Sequence, residues 1–346
     1  MRLTSNLAVR AVMAVALGGV ARQAAAPLYT VTDLGTLPAF TSSQADGVNA
    51  TGQVAGVSAD PLRIEHGFNF TSGTLQDIGT LPTFDSSAAI GINTAGQMSG
   101  EVYNSAGGPL HAVAWTATSG LVDIHDNTLG FSSTEAAGTM TSTGQIAGKA
   151  IGAVDGLQHP FLWTNGVGMA DLGPMPGMTE GFASGASDAG VVGTSWNLTD
   201  GRAFLWANGA FTDLGTLPGF RYAWATAINA TGQVVGTASN DAGPIDAFSW
   251  TQATGMTDLG PLPGYLFVHP YAVNGQGVVV GEASNSANNR VAFIWQNGIM
   301  TDLNTLIPAT SGWVLQIATG INDNGQIVGT GTIGGQVHGF LLTITP

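Results

Sequence analysis

Seven aspartates, four histidines and five glutamates are the residues of this chain with reach into chemistry. Asp33, Asp77, Asp123, Asp171, Asp213, Asp258 and Asp302 recur at intervals of 42–48 residues. A ring of carboxylates would suit a divalent cation such as Ca²⁺, which needs its oxygens at about 2.3–2.6 Å. Each aspartate also closes a short β-pattern just before a loop, Leu-Gly in four copies, where a carboxylate accepts from the loop's N–H groups. On outer strands they stand too far apart to share one ion, so the structural role is expected and no metal site is assigned. Asn322-Asp323-Asn324-Gly325 looks like a fragment of a calcium loop. It aligns with Asn229-Ala230-Thr231-Gly232, an ordinary turn, and lacks the distal glutamate of a complete loop.

The histidines His66, His111, His159 and His338 hold equivalent places, which Arg202, Asp246 and Val291 occupy in other copies. A hydrogen bond to a neighbouring strand or loop fits that pattern better than tetrahedral metal ligation. The glutamates (Glu65, Glu101, Glu135, Glu180, Glu282) fall in different elements of different copies and give no evident acid–base pair. Nucleophile-elbow, zincin and P-loop motifs are absent.

These residues are set by a repeat. One anchor is the aspartate tract: TDLG at 32–35, QDIG at 76–79, VDIH at 122–125, ADLG at 170–173, TDLG at 212–215 and 257–260, and TDLN at 301–304. The second is a turn glycine followed by an apolar pair and another glycine. It occurs at Gly52/Gly56, Gly96/Gly100, Gly144/Gly148, Gly190/Gly193, Gly232/Gly236, Gly277/Gly281 and Gly325/Gly329. Each copy holds four short strand patterns: a small, apolar strand a (WATAIN, 224–229), a β-branched strand b (QVVGT, 233–237), an aromatic strand c (DAFSW, 246–250) and a strand d carrying the aspartate (GMTDL, 255–259). No helical period intervenes.

Four antiparallel strands per copy of about 45 residues make a propeller blade. The last copy ends in strand c, and residues 28–34 (LYTVTDL) supply a strand d with no a, b or c before it. The expected fold is therefore all-β: a seven-bladed β-propeller of four-stranded antiparallel blades, its ring closed by the N-terminal strand pairing in the last blade. Small strand-a residues fit the crowded axis. Aromatics of strand c, such as Phe204 and Trp206, fill the space between blades, and Trp206→Ala is expected to cost about 3–5 kcal/mol.

Charge and address narrow the partners. Residues 1–26 read as a secretory leader: Arg2 and Arg10, the apolar run 11–21, and small residues at 24–26. Residues 27–346 form the repeat domain. Without the leader, five basic residues stand against 22 acidic ones, a net charge near −17. Such a surface repels nucleic acid and anionic lipid. No second stretch is long and apolar enough to span a bilayer. The chain has no cysteine, so its stability rests on packing and hydrogen bonds.

The repeat resembles the HAF-repeat family of probable extracellular repeat proteins. The resemblance rests on HGFNF at 66–70, HAVAW at 111–115, HPFLW at 159–163 and HGFLL at 338–342, with departures RAFLW, DAFSW and VAFIW in the other copies. It covers nearly all of the repeat domain. It implies export and a repeat β-fold, and carries no catalytic residues with it.

Departures from the repeat mark where function should sit. The d–a and b–c connections share one face of an antiparallel blade and vary most, which is where binding sites gather on rigid scaffolds. Aromatics there concentrate at Phe220, Arg221, Tyr222 and Trp224, then Tyr265, Phe267, His269 and Tyr271, then Trp313. Aromatic faces with few charges suit sugar rings or apolar ligands. The expected function is a monomeric, exported binding module, extracellular, periplasmic or at the cell surface, without a cofactor, for a glycan, peptide or small molecule. The alternative is a lactonase- or esterase-like hydrolase with its site at the channel mouth, using a divalent cation such as Ca²⁺.

Overall fold

The computed structural model describes residues 29–345; the leader assigned to residues 1–26 lies outside them. Seven four-stranded antiparallel sheets follow one another in chain order. Blades 1 to 6 span residues 42–77, 86–123, 131–171, 180–213, 222–258 and 267–302. In blade 7, three strands at Trp313–Ile321, Ile327–Ile333 and Gln336–Ile344 are completed by Tyr29–Asp33. That strand pairs antiparallel from Tyr29↔Ile344 to Asp33↔Phe340 and closes the ring. Strands a to d of each blade run outward from the axis. We call the end with the b–c and d–a connections upper, and the end with the a–b and c–d turns lower.

The repeated Gly and Phe are one device. The second glycine of each anchor pairs with strand c, opposite Phe68, Phe161, Phe204, Phe248, Phe293 and Phe340, with Val113 in blade 2. All six phenylalanines are fully buried. A Cβ on Gly236 would overlap the Trp224 carbonyl and meet the Phe248 ring, and the other six glycines face an equivalent strand-a carbonyl. Glycine is required there because strand a and the ring close over the backbone from both sides.

Three of the five strand-c tryptophans are shallower than expected, while Trp115 and Trp250 are buried. Trp163, Trp206 and Trp295 are only partly buried, nearer the lower turns. The 3–5 kcal/mol expected for Trp206 therefore belongs to Phe204. Phe204→Ala should cost that amount and Trp206→Ala less than half of it, read as shifts in urea midpoint.

Blades are tied to one another at the lower turns. Asn49 Oδ1 accepts from the N–H groups of Thr51 and Gln53 at 3.1 and 3.0 Å, which forms the turn. Its Nδ2 donates to the Asn93 carbonyl of the next blade at 3.0 Å. The link repeats from Asn93 to Thr141, Asn229 to Asn274, Asn274 to Asn322, and Asn322 back to Asn49. Between blades 3 and 4 the pattern changes: Thr141 and Ser187 stand where the others have Asn, and Ser142 instead binds Asp188.

Candidate functional site

The repeat aspartates are structural anchors. All seven accept from the N–H two residues on, at 2.7–2.9 Å. In four blades the carboxylate also meets the histidine of strand c: His66–Asp77, His111–Asp123, His159–Asp171 and His338–Asp33, at 2.8–3.0 Å. Among the described residues no three His, Asp or Glu side chains converge as metal ligands.

The channel has two unlike ends. At the lower end lies a cavity of about 280 Å³ walled by the a–b turns of all seven blades. Its asparagines are engaged in the inter-blade links, so this polarity holds the ring together. At the upper end the side chains vary. Every strand a carries a β-bulge at the same level, between Ala45/Gly47, Ala89/Gly91, Ala136/Met140, Ala183/Gly185, Ala225/Ala227, Pro270/Ala272 and Ala318/Gly320. A bulge re-aims the residues beside it. Two positions before each bulged residue of blades 1 to 6, the ring reads Gln44, Ala88, Glu135, Phe182, Trp224 and His269, paired across to Val57, Glu101, Lys149, Thr194, Thr237 and Glu282. Blades 4 to 6 are aromatic there, blades 1 and 3 are polar, and blade 2 carries Ala88 opposite Glu101.

Five of the nine expected site residues fall on this wall. In strands Tyr222–Ile228 and Phe267–Val273, the core takes Ala223, Ala225, Val268 and Pro270 while Tyr222, Trp224, Phe267, His269 and Tyr271 remain half-exposed. The Tyr222 and Trp224 ring centroids lie 5.6 Å apart. Burial lowers the His269 pKa, partly offset by Glu282. Tyr271 donates to Glu282 at 3.2 Å, and burial together with that carboxylate raises its hydroxyl pKa.

The other four have structural duties. Phe220 and Tyr265 pack against the cores of their blades, and each donates its N–H to a Leu three residues back. Phe40, Phe84 and Met178 make the same turn in other copies, so these rings are staples of the d–a loop. Trp313 is buried, edge-on to Phe340. Arg221 binds the Thr199 carbonyl and Asp241 through its guanidinium, the latter also bound by Tyr222, and so fastens the upper loops of blades 4 and 5.

Sequence reasoning missed two groups. Phe182 lies on the same ring position as Trp224 and stacks edge-on to Trp196 at 5.7 Å; the alignment of copies could have placed it. The second is acidic. Asp46, Glu65, Glu101 and Glu135 come from blades 1 to 3 and act on one another electrostatically. Burial, then the charges of Glu65 and Glu101, push Asp46 up to about 7. Burial, then Glu135, push Glu101 up to about 7, against the pull of Lys149. Tyr103 donates to Glu65 across the blade 1–2 boundary.

No known family model matches this sequence, and no curated protein is recognisably similar to it. Solved structures share the fold. A prolyl endopeptidase matches with a TM-score of 0.57 at 10% identity, over 89% of this chain and 51% of that one. YCF48 bound to the D1 peptide matches at 0.52 and 12%, over 92% and 97%. The β-propeller domain of the Trilobed protease from Pyrococcus furiosus matches at 0.52 and 10%, over 74% and 82%. The chain spans 62% of the length of TolB from Acinetobacter baumannii and about half that of the prolyl endopeptidase. At these identities the likeness is one of architecture.

Proposed function

We propose that the chain is an exported, non-catalytic binding module of the HAF-repeat kind, and that its upper channel mouth takes an extracellular glycan. The observation behind this reading is the ring position of the mouth. Its scaffold is repeated seven times, yet the side chain there changes from Gln44, Ala88 and Glu135 to Phe182, Trp224 and His269. Half-exposed aromatic faces beside carboxylates and amides suit a sugar, which offers C–H faces to rings and hydroxyls to polar groups. The acidic mouth disfavours phosphorylated ligands. Trp224→Ala should weaken glycan binding at least tenfold by calorimetry while leaving the β-sheet circular dichroism unchanged. Unaltered affinity would remove Trp224 and its neighbours from the site.

A hydrolase is the second reading, favoured by the carboxyl groups of Asp46 and Glu101. Burial raises both toward neutral pH, the range that suits general acid–base work, and Asp46 lines the central channel. A cation-dependent version has no preformed set of three acidic or histidine ligands among the described residues.

A further inference from the structure

One slot in the mouth differs from the rest in shape and in chemistry. Strand a of blade 3, Phe131–Met140, is the longest of the seven inner strands. Its register jumps from Ala136↔Gly148 to Met140↔Ile146, where the other blades skip a single residue at this level. The unpaired run is Ala137, Gly138 and Thr139, one residue longer overall than the equivalent stretch of the other blades, and a Cβ on Gly138 would meet only one atom, a methyl of Ile90. A cavity of about 280 Å³ opens there between blades 3 and 4.

The lining is selective. Lys149 is the only lysine in the chain. Its Nζ lies 2.7 Å from Glu135 Oε1, and both side chains are partly exposed to the cavity. Lys149 keeps further donors and Glu135 a free Oε2. The Gln158 side chain makes no hydrogen bond among the described residues, while its backbone N–H is fixed to Glu180 at 3.2 Å. Phe182 offers a half-exposed face, held from the side by Trp196. Ser184 gives its proton to the Ala225 carbonyl and retains lone pairs.

The geometry points to this slot as a subsite for one neutral sugar ring bearing two adjacent hydroxyls, an inference that rests on the glycan reading of the mouth. The ring's C–H face lies on Phe182. One hydroxyl accepts from Lys149 and its neighbour donates to Glu135, a donor and an acceptor already set side by side. Gln158 satisfies a third polar group. The volume sits just under the range of about 300–1,000 Å³ typical of drug-sized ligands, the scale of a single ring. Charge sets the ligand's neutrality. An anion would meet Glu135, whereas a cation would have to displace Lys149 from its partner.

The lone lysine provides the test. Biosynthetic ¹³C-lysine labelling places one lysine side-chain label, at Lys149, and leaves its charge and its three N–H donors in place. The methyl glycosides of glucose, galactose and mannose are titrated against the labelled full-length mature chain, with glucuronate and glucosamine as charged controls. The expected result is a saturable movement of the Lys149 signal with at least one neutral glycoside. Affinity should fall at least tenfold in both Phe182→Ala and Gln158→Ala, and remain within twofold of wild type in Ile299→Ala, an exposed position at the lower c–d turn of blade 6. No saturable response to any neutral glycoside, or a stronger response to glucuronate or glucosamine, overturns the subsite. If the slot fails but a longer glycan still binds in a Trp224-dependent way, the mouth reading stands alone. If that binding is absent too, both fall.

Discussion

Gly236→Ala is expected to destabilise the protein by about 3 kcal/mol or more, an unusually large cost for adding one methyl group. The new Cβ would overlap the Trp224 carbonyl and press on the Phe248 ring. Neither can yield. The carbonyl belongs to the bulged inner strand, and Phe248 is fully buried in the core shared with blade 4. A control separates this effect from backbone strain. Gly209 has φ 79° but open space around it. Gly209→Ala should cost only about 1 kcal/mol, the penalty of a left-handed conformation without a clash. Paired urea denaturation curves check both. Equal losses at the two sites would mean that the glycine–phenylalanine sandwich is not what fixes the blade.

The second large effect is a stability that falls as pH rises. Asp46 and Glu101 keep their protons in the fold up to about pH 7, whereas their ordinary values are 3.8 and 4.5. Between those limits the folded chain binds more protons than the unfolded one, so stability declines with pH across the window. The contribution is fully present below about pH 4 and lost above about pH 7. A tenfold change in proton affinity between folded and unfolded chain is worth about 1.4 kcal/mol, an upper bound here because both side chains retain some contact with water. Asp85 moves the opposite way, lowered by hydrogen bonds from Ser105, and acts below pH 4, outside the window. Glu101→Gln should therefore stabilise the protein at pH 8 by about 2 kcal/mol and change little at pH 4. Stabilisation of the same size at both pH values would mean that charge at Glu101 is not the cause.

The architecture was legible because its devices repeat. The strand-b glycine, the strand-c aromatic and the strand-d aspartate recur in order every 42–48 residues, with a turn asparagine in five of the seven copies, and the unmatched strand at residues 28–34 gave away the closure. What each device touches was less legible. Asn49 could be read as a turn residue, since Thr51 and Gln53 lie beside it in sequence. Its bond to the Asn93 carbonyl needs the neighbouring blade, 44 residues on. Phe204 and Trp206 lie on one face of a strand, and only packing depth makes the first the more valuable.

The site was half legible for the same reason. Trp224 and His269 stood out against the repeat and do line the mouth. Phe220 and Tyr265 also stood out as aromatics, but their partners Leu217 and Leu262 recur with them as a loop staple. The acidic group was hidden, because Asp46, Glu65, Glu101 and Glu135 come from different elements and meet only once consecutive blades stack. The widened bulge of blade 3 was hidden too. An insertion of one small residue reads in sequence as a slightly long repeat, and becomes a slot only beside Phe182.

The central claim is that the mouth holds a sugar and does not transform it. It is tested most directly by titrating the mature chain with oligosaccharides in a calorimeter and then assaying each sample for cleavage products. The account predicts saturable binding, at least tenfold weaker in Trp224→Ala, with the oligosaccharide recovered intact at pH 5 and pH 8. Turnover that copurifies with the folded protein and disappears in Glu101→Gln would contradict it.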